Sequence, residues 1–367
     1  MTRKVLEVMG GSTGGIARHV AAIVEHLDGI DELCIDIAAP PDLQVPMPKP
    51  IYPIAIPDGP VRGHGGAIRR LGSLVRAGSY DVVHAHGLRA GIDAGVAARG
   101  RANRIATVHN LILDGASGKL KTVLYRRAEA LVVALNERVL APSKEIAAQL
   151  EARAPRLSER IETLHLGAGT PSVPAVSAAA IRDELGVGPG RTLVVTVARL
   201  APQKALHVLL DALALMDSDV RLTVVGDGPL AGELRERARR AGIETRVRWV
   251  GYKDDSTSYI AAADVFVLSS VWEACSLAAQ EAMSLGVPVV STAVGGMPEL
   301  IADRISGRLS PSGDARALAT AISDVLCSPS DARRYIEAAR EHLAHEFSPE
   351  QMLARLRSVY LEDAFGA

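Results

Sequence analysis

Two glutamates lie eight positions apart in the segment EACSLAAQEAM, which begins at Glu273 and contains Glu281. The apolar run ADVFVLSS just before it predicts a strand, and a helix is expected to start at Ser276. Glu273 would then lie in the loop and Glu281 about one and a half turns into the helix, so the two carboxylates would not share a face. We expect the first helix amides, near Ser276 and Leu277, to hold an anion. The carboxylates would accept hydrogen bonds from neighbouring hydroxyls of a sugar or ribose.

Two cations and a glycine run are further candidates for anion binding. Arg199 and Lys204 are predicted around the carboxyl end of the first strand of the second half, where they would suit a diphosphate. The run GGSTGG at 10–15 follows the first strand of the chain and opens a helix, which suits a phosphate. Its spacing is not G-x-G-x-x-G, so a tight structural turn is an equally good interpretation.

Two histidines, His86 and His109, each lie at the carboxyl end of a predicted strand in the first half. A single histidine there is often only a satisfied hydrogen-bonding group, whereas two that face the same cleft indicate a functional site. Neither has the partner spacing of a metal site, so no metal ligands are expected. A GxSxG nucleophile motif is absent from the sequence.

The elements that would position these residues follow an alternating pattern. Short apolar runs alternate with amphipathic helical stretches, and strands this apolar are covered on both faces, as in parallel sheets of βαβ units. A stretch rich in Gly, Pro, Ser and Ala at 167–180 separates two such series. The fold class predicted is therefore α/β, with two tandem doubly wound domains that face a central cleft. The predicted strands are 4–10, 33–39, 81–87, 104–110, 130–135 and 161–166, then 192–200, 220–228, 247–252, 263–270 and 287–293.

Composition excludes several classes of protein. The 367 residues are 48% hydrophobic and 23% charged, which is typical of globular domains. The net charge of −1 gives no general preference for nucleic acid or membrane, although residues 1–170 hold 21 Lys+Arg against 17 Asp+Glu, a local excess of +4. The three cysteines are scattered without a CxxC pair, which fits a reducing compartment. The apolar run at the N-terminus is too short for a signal peptide, so a cytoplasmic location is expected.

The motifs in their order resemble a known enzyme family. STGGIARHV, DVVHAHG, TVHN, APSKEIAAQL, ARLAPQKALHVLLDAL, VVGDGPL and AQEAMSLGVPVVSTAVGGMPELI cover most of the chain. With the Glu-x7-Glu pattern, they resemble the retaining nucleotide-sugar glycosyltransferases of family 4, which have the GT-B fold. The resemblance implies an acceptor-side domain at 1–170 and a donor-binding domain at 171–347. The last helix, within 348–367, would pack back on the first domain.

The resemblance also implies a role for each candidate residue. Glu281 would bind the donor ribose, Glu273 would contact the donor sugar near the reacting carbon, and His109 would contact another sugar hydroxyl. His86 would lie nearer the acceptor. The residues expected at the donor diphosphate are Gly14, Gly15, Arg199, Lys204, Ser276 and Leu277.

Three departures from the family pattern are visible. Ser276 replaces a usual glycine in the loop after the first glutamate, which bears on the choice of sugar. Residues 165–169 lack the Asn and Asp contacts that the family has at the link between the domains, and Ala205 replaces the glycine that usually follows the lysine. None of these removes a charged donor contact, so the resemblance still implies an active enzyme.

The function predicted is transfer of a sugar from a UDP- or GDP-type donor to an acceptor hydroxyl, with retention at the anomeric carbon. The resemblance implies no metal and no other cofactor, and the acceptor is open among glycans, lipid-linked glycans and small molecules. The first half contains a group of arginines, among them Arg69, Arg70, Arg126 and Arg127. We expect them either to lie on solvent-exposed helix faces or to contact a membrane surface peripherally. Nucleic acid is not an expected partner. The alternatives are a sugar-nucleotide-binding pseudoenzyme or lectin-like module, and a nicotinamide-dependent oxidoreductase, against which the glycine spacing argues.

Overall fold

The computed structural model describes residues 2–11, 14–30, 32–43, 45–59, 62–110, 119–168 and 173–362. The chain divides into two compact units, which are Met1–Leu166 with Pro349–Ala367, and Gly167–Ser348. The boundaries predicted from sequence were 170/171 and 347/348. Residues 169–172 of the predicted linker lie outside the described residues.

The first unit is built on a parallel sheet with the strand order β3-β2-β1-β4-β5-β6-β7. Its strands are β1 (Arg3–Met9), β2 (Leu33–Ala39), β3 (Ile51–Pro53), β4 (Val82–His86), β5 (Asn103–Thr107), β6 (Arg138–Ala141) and β7 (Ile161–Thr163). The helices between them are α1 (Gly15–Leu27), α2 (His64–Gly78), α3 (Leu88–Ala97), α4 (Lys119–Leu135) and α5 (Lys144–Arg153), with a 3-10 segment at Pro155–Arg160.

The second unit repeats this plan on a parallel sheet with the order β10-β9-β8-β11-β12-β13. Its strands are β8 (Thr192–Val197), β9 (Val220–Val225), β10 (Val247–Gly251), β11 (Val265–Leu268), β12 (Val289–Thr292) and β13 (Arg308–Ser310). Its helices are α6 (Ala178–Leu185), α7 (Leu206–Ala214), α8 (Ala231–Arg240), α9 (Thr257–Ala261), α10 (Leu277–Ser284), α11 (Met297–Leu300), α12 (Ala315–Cys327) and α13 (Pro329–Glu346).

Helices cover both faces of each sheet, and this explains why the central strands β4 and β11 are buried along their whole length. In β11 every residue is buried, and Phe266 at its centre is fully enclosed. One of the amphipathic stretches between the strands forms α2, whose buried face includes Ala67, Leu71 and Val75. The predicted α/β class with two parallel-sheet domains is confirmed.

The last helix, α14 (Pro349–Leu361), belongs to the first unit, where it packs against α1 and β1. Its apolar face is buried, and consists of Met352, Leu356, Val359 and Tyr360. Arg355 of α14 also donates hydrogen bonds to both carboxylate oxygens of Glu162, at 2.6 and 2.8 Å.

The strand predicted at 130–135 is wrong, because this apolar run forms the end of α4. Leu131 is 45% exposed while Val132 and Val133 are fully buried, as successive positions around a helix can be. Val132 packs against Gly91 of α3, where an added Cβ would lie 2.6 Å from its Cγ2. The glycine allows the two helices to approach closely, and the strand follows later, as β6. The short strands β3 and β13 were also missed, since three-residue runs give little periodicity.

The described ranges contain no helix with both the length and the apolar character needed to cross a membrane.

Candidate functional site

In both sheets the strand order reverses beside the first strand of the unit, between β1 and β4 in one and between β8 and β11 in the other. Ligands of open α/β sheets bind outside the carboxyl ends of the strands at such a reversal. Arg199 and Lys204 follow β8, and Glu273 follows β11. In the first unit, β1 carries Glu7, and His86 ends β4. Most of the candidate residues therefore lie at or near these two points of reversal.

Lys204 and Glu273 form an ion pair in the second unit. The Nζ atom of Lys204 lies 2.6 Å from Oε1 of Glu273, and Oγ of Ser270 donates to the same oxygen at 2.5 Å. The side chain of Glu273 is 7% exposed and that of Lys204 is 22% exposed. The cation assigned from sequence to the diphosphate and the acid assigned to the sugar are thus direct partners.

The loops that carry this pair are hydrogen-bonded to each other. The backbone N–H of Val271 donates to the carbonyl of Gln203 at 2.8 Å, and the side-chain amide of Gln203 donates to the carbonyl of Trp272 at 2.9 Å. Ser269 adds a hydrogen bond from its hydroxyl to the carbonyl of Lys204, at 3.0 Å. These contacts hold the ends of β8 and β11 together, so the ion pair is positioned by backbone as well as by side chains.

A glycine turn fixes the backbone of Glu273 from the other side. The N–H of Gly296 donates to the carbonyl of Glu273 at 2.9 Å. Gly295 has φ +57°, and a Cβ added there would lie 1.6 Å from the Glu273 carbonyl oxygen. Only glycine fits at position 295 because any side chain would push this turn away from Glu273.

Arg199 is exposed, and a second glycine turn fixes its backbone. The N–H of Leu200 donates to the carbonyl of Asp227 at 2.9 Å. An added Cβ would lie 2.1 Å from the Ala198 carbonyl oxygen at Gly226, and 2.6 Å from that of Leu200 at Gly228. The turn in VVGDGPL therefore has a structural role, and it presents Arg199 on the same loop as Lys204.

Helix α10 begins as predicted. Ser276 is its N-cap, and its hydroxyl accepts a hydrogen bond from the N–H of Ala279 at 3.3 Å. Leu277 is the first helical residue, Glu273 precedes the helix, and Glu281 lies half-buried within it. The predicted separation of the two acids between loop and helix is confirmed. Pro202, by contrast, opens only the 3-10 turn Pro202–Lys204, and α7 begins at Leu206.

Ala205 occupies the left-handed region, with φ +43° and ψ +40°. This region is unfavourable for a residue with a Cβ. It links the 3-10 turn that carries Lys204 to the start of α7. The backbone conformation explains why glycine is the usual residue of the resembling family at this position.

In the first unit His86 and His109 belong to one buried cluster. Nδ1 of His86 lies 3.1 Å from Nε2 of His109, and Nε2 of His86 lies 2.7 Å from Oε2 of Glu7. All three residues are at most 6% exposed. His86, predicted to lie near the acceptor, and His109, predicted to contact the donor sugar, are therefore in direct contact with each other.

The cluster continues to the last helix of the chain. Oη of Tyr360 donates to Oε1 of Glu7 at 2.6 Å and accepts from Nδ1 of His84 at 2.7 Å. Nε2 of His84 lies 2.8 Å from Oγ1 of Thr107. The carboxylate of Glu7 on β1 is thus the centre of a hydrogen-bond network that extends to β4, β5 and α14.

The hydrogen bonds determine where the protons lie. An ionised carboxylate only accepts, so Nε2 of His86 donates to Glu7. Burial lowers the pKa of His86 to about 4, which leaves the ring neutral with Nδ1 as an acceptor. Nε2 of His109 therefore donates to His86. Burial raises the pKa of Glu7, but the hydrogen bonds from His84 and His86 and the attraction of these rings in their protonated forms outweigh this and lower it well below its usual range.

His19 of α1 is the remaining member of this group. Its ring centroid lies 5.5 Å from those of His86 and His109. The side chain is 5% exposed, and its buried Nε2 has no hydrogen-bond partner among the described residues. Burial lowers the pKa of His19 to about 3, so this ring is also uncharged near neutral pH.

The glycine run at 10–15 is described except for Ser12 and Thr13. Gly15 begins α1, and Gly14 is the N-cap, with φ −167°. A Cβ added at Gly14 would meet no described atom within 4 Å. Packing against the described residues therefore does not require glycine at position 14.

Comparison with known proteins identifies the family. Residues 177–342 match the family model described as glycosyl transferases group 1, and residues 13–170 match the model described as Glycosyltransferase Family 4. The chain belongs to these glycosyltransferases. The family resemblance predicted from the motifs is confirmed.

Curated relatives carry related names. The lipopolysaccharide core biosynthesis glycosyltransferase LpsE of Rhizobium meliloti is 34% identical over 50% of this chain and 52% of its own length. A D-inositol 3-phosphate glycosyltransferase of Mycobacterium sp. is 32% identical over 73% of this chain and 63% of its own length. This glycosyltransferase thus spans less than two thirds of each of these relatives.

Solved structures share the fold. HepE of Anabaena, solved in complex with UDP-glucose, has a TM-score of 0.80 at 20% identity and covers 97% of this chain and 98% of its own. WaaG, a glycosyltransferase involved in lipopolysaccharide biosynthesis, has a TM-score of 0.77 at 17% identity, with 97% and 99% covered. At this identity the likeness establishes the GT-B fold of the glycosyltransferase.

Sequence reasoning missed four members of the histidine cluster, namely Glu7, His19, His84 and Tyr360. Glu7 gave a detectable signal, since a lone acid inside an apolar strand covered on both faces must be paired. His84 gave another, because it shares a strand face with His86 at a spacing of two residues. Tyr360 gave none, because its contact with Glu7 spans 353 positions of the chain.

Proposed function

We propose that this protein transfers a sugar from a nucleoside-diphosphate sugar to an acceptor hydroxyl, with retention at the anomeric carbon. The observation that supports this most directly is the ion pair of Lys204 and Glu273 at the carboxyl ends of β8 and β11. An anion alone would meet the repulsion of Glu273, and a neutral sugar alone would not engage Lys204. A ligand that joins a phosphate to a sugar satisfies both groups.

The reaction separates charge. As the bond between the anomeric carbon and the diphosphate breaks, negative charge grows on the phosphate and positive charge on the sugar ring. In our proposal Arg199, Lys204 and the first amides of α10 stabilise the leaving diphosphate. Glu273 accepts a hydrogen bond from the sugar and lies close to the developing positive charge.

We propose that no carboxylate attacks the sugar. The acceptor oxygen bonds to the anomeric carbon on the face from which the diphosphate leaves, and the acceptor proton passes to the departing phosphate oxygen. The configuration is thereby retained. Since the cations and helix amides neutralise the diphosphate, we propose that transfer needs no divalent metal.

The remaining assignments follow the family resemblance. Glu281 accepts hydrogen bonds from the ribose hydroxyls. His109 contacts a hydroxyl of the donor sugar and His86 lies on the acceptor side. Gly14 and Gly15 approach the diphosphate, in line with the absence of a packing reason for glycine at position 14 among the described residues. A UDP-type donor is supported by the UDP-glucose complex of HepE.

For the acceptor we propose a hydroxyl of a glycan or of a lipid-linked glycan, as the name of the Rhizobium meliloti relative suggests for that protein. Arg69 and Arg70 of α2 and Arg126 and Arg127 of α4 are exposed. They are candidates for contact with an anionic membrane surface that presents such an acceptor, and the cytoplasmic face of a membrane would suit both donor and acceptor.

The test is a donor screen. The full-length protein is incubated with UDP-glucose, UDP-galactose, UDP-N-acetylglucosamine or GDP-mannose in excess EDTA. Water takes the place of the acceptor hydroxyl, and the nucleoside diphosphate released by hydrolysis of the donor is measured. Thermal unfolding with UDP and GDP reports binding independently of turnover. We expect one donor to be turned over without added metal and one diphosphate to raise the unfolding midpoint. Binding without turnover of any donor would favour a pseudoenzyme, whereas oxidation of a nicotinamide cofactor would favour an oxidoreductase.

A further inference from the structure

We propose that His19, His86 and His109 form a binding site for one Zn²⁺ ion in the first unit. One ring nitrogen from each of the three residues lies within 4.8 Å of the other two, and all three side chains are buried. They come from α1, from the end of β4 and from the loop after β5, so the fold rather than one local turn brings them together.

Nε2 of His19, which has no hydrogen-bond partner among the described residues, is the first independent indication of a ligand. A buried polar atom without a partner carries a desolvation cost, and such atoms are uncommon in native proteins. The His19 ring is T-shaped to both neighbouring imidazoles, with interplanar angles of 72° and 73°. A metal ion between the three rings would give Nε2 of His19 the partner that it lacks.

The second indication is the contact between His86 and Glu7. Metal-binding histidines usually donate their other ring N–H to a carboxylate or carbonyl, which fixes the ring and the free nitrogen. Nε2 of His86 donates to Oε2 of Glu7 at 2.7 Å, which leaves Nδ1 as the ligand atom. Tyr360 in turn holds the other oxygen of Glu7, at 2.6 Å.

The chemistry of the ligands favours zinc. Imidazole nitrogens suit Zn²⁺, whereas Mg²⁺ and Ca²⁺ take oxygen ligands. Zn–N bonds of about 2.0–2.1 Å in a tetrahedron place ligand nitrogens about 3.3 Å apart. Nδ1 of His86 and Nε2 of His109 already lie 3.1 Å apart. A small movement of His19 would bring the third nitrogen into the coordination sphere of Zn²⁺. The fourth coordination position would then be open to water or an anion.

A histidine chain that serves only as a hydrogen-bond network is the competing explanation. In that network Glu7, His86 and His109 are satisfied without His19. Truncation of His19 would then leave the network intact and have no effect on metal affinity. His19 therefore distinguishes the two explanations.

Zinc binding and sugar transfer are separable. The site uses residues of the first unit alone, and its binding is measured without donor. One consequence does rest on the proposed function: if His109 contacts the donor sugar, bound zinc removes that nitrogen from the sugar and lowers the transfer rate. The expected result is that Zn²⁺ inhibits sugar transfer and that EDTA restores the rate.

The experiment uses the full-length protein, stripped with EDTA and desalted. Co²⁺ is titrated as a spectroscopic probe, then displaced by Zn²⁺ to give its affinity. Wild type is compared with His19→Ala and with the matched control His26→Ala, an exposed histidine on the same helix. We expect one Co²⁺ per chain, with the visible absorption of a tetrahedral imidazole site and no thiolate charge-transfer band.

His19→Ala should weaken Zn²⁺ binding at least 10-fold and His26→Ala should leave it unchanged. Circular dichroism checks that the variants are folded. If His19→Ala does not fold, His19→Gln replaces it, with the same expectation. Glu7→Gln should weaken binding about 10–100-fold, the usual effect of losing such a carboxylate. Equal zinc affinity in wild type and folded His19 variants, or a spectrum with thiolate ligands, would overturn the proposal.

Discussion

Lys204 and Glu273 hold each other at 2.6 Å, between the loops that follow the first and fourth strands of the second sheet. The pair has a further hydrogen bond from Ser270, and Glu273 is almost fully buried. A donor that takes Lys204 as a phosphate ligand therefore has to replace one partner of Glu273. The sugar of the same donor offers a hydroxyl for that purpose, so binding and positioning are linked.

Removal of either predicted diphosphate cation should lower turnover, but only one removal should affect stability. Charge-assisted hydrogen bonds contribute about 1.5–3 kcal/mol, which corresponds to at least about 10-fold in rate. Lys204→Ala also leaves a buried carboxylate without its cation, and we expect the free energy of unfolding to fall by about 1–3 kcal/mol. Arg199→Ala, on an exposed side chain, is the matched control and should leave unfolding unchanged. Urea unfolding and diphosphate release measure the two quantities. Wild-type turnover in both variants would contradict the cation roles.

The two glutamates should differ in what they bind. Glu281→Ala should weaken UDP or GDP at least about 10-fold, because it would lose charge-assisted hydrogen bonds to the ribose. Glu273→Gln should not weaken binding of the bare nucleoside diphosphate, because loss of the carboxylate charge releases Lys204 from the ion pair. Its turnover should nonetheless fall at least about 10-fold, since its expected partner is the sugar. Calorimetric titration with UDP and GDP, beside turnover, tests the division. Equal losses of nucleotide affinity in both variants would show that the roles are assigned wrongly.

The two sheets could be predicted from the sequence better than the buried histidine cluster of the first unit. Long apolar runs such as that around Phe266 identify buried strands because their pattern is local. The run at 130–135 failed because six apolar residues suit a helix end as well as a strand, and only the packing of Val132 on Gly91 decides. Three-residue strands such as Ile51–Pro53 are held by their neighbours and leave no periodicity to read.

The site shows the same limit. Arg199, Lys204 and Glu273 could be assigned to one region, because residues after parallel strands gather at one edge of the sheet. Their pairing could not be predicted, because it depends on loop contacts such as that of Gln203 with Trp272. The tie between Glu7 and Tyr360 joins the two ends of the chain and lies beyond any local pattern.

The contact between His64 and Asp93 should stabilise the first unit less as the pH rises. Its Nδ1 lies 2.8 and 2.9 Å from the carboxylate oxygens of Asp93, and its Nε2 lies 2.8 Å from the carbonyl of Gly59. Both nitrogens face acceptors, so the charged ring satisfies both. Burial lowers the pKa of His64, but the Gly59 carbonyl and Asp93 outweigh this and raise it above its usual value of 6.5.

The sign follows from the raised pKa. The stabilisation is fully present below the unfolded-state pKa, near 6.5, and is lost as the pH rises through the folded-state pKa. Asp93 ionises in a lower pH range, from its usual pKa of 3.8 upward, because burial raises its pKa. The lowered pKa values of the buried His19 and His86 make the whole protein more stable as the pH rises towards 7, which opposes the effect of His64. The contribution of His64 is therefore the difference in the free energy of unfolding in urea between wild type and His64→Ala, and we expect that difference to fall between about pH 6 and pH 8. His26→Ala should show no such change with pH relative to wild type. A difference between wild type and His64→Ala that stays constant with pH would rule out this role for His64.

Ala205→Gly should stabilise the protein, although most substitutions of a buried alanine by glycine do the opposite. Ala205 is 1% exposed and has φ +43°, which costs little for glycine but is strained for alanine. Replacing alanine at positive φ should raise the free energy of unfolding by about 0.5–1 kcal/mol, after the greater freedom of glycine in the unfolded chain is subtracted. The matched control is Ala212→Gly, in the interior of α7, where glycine should lower it by about 1 kcal/mol or more. Urea unfolding of both variants measures the pair. A loss of stability in both variants would mean that the surroundings of Ala205 relieve the backbone strain. A gain in Ala205→Gly alone would confirm that Ala205 is strained.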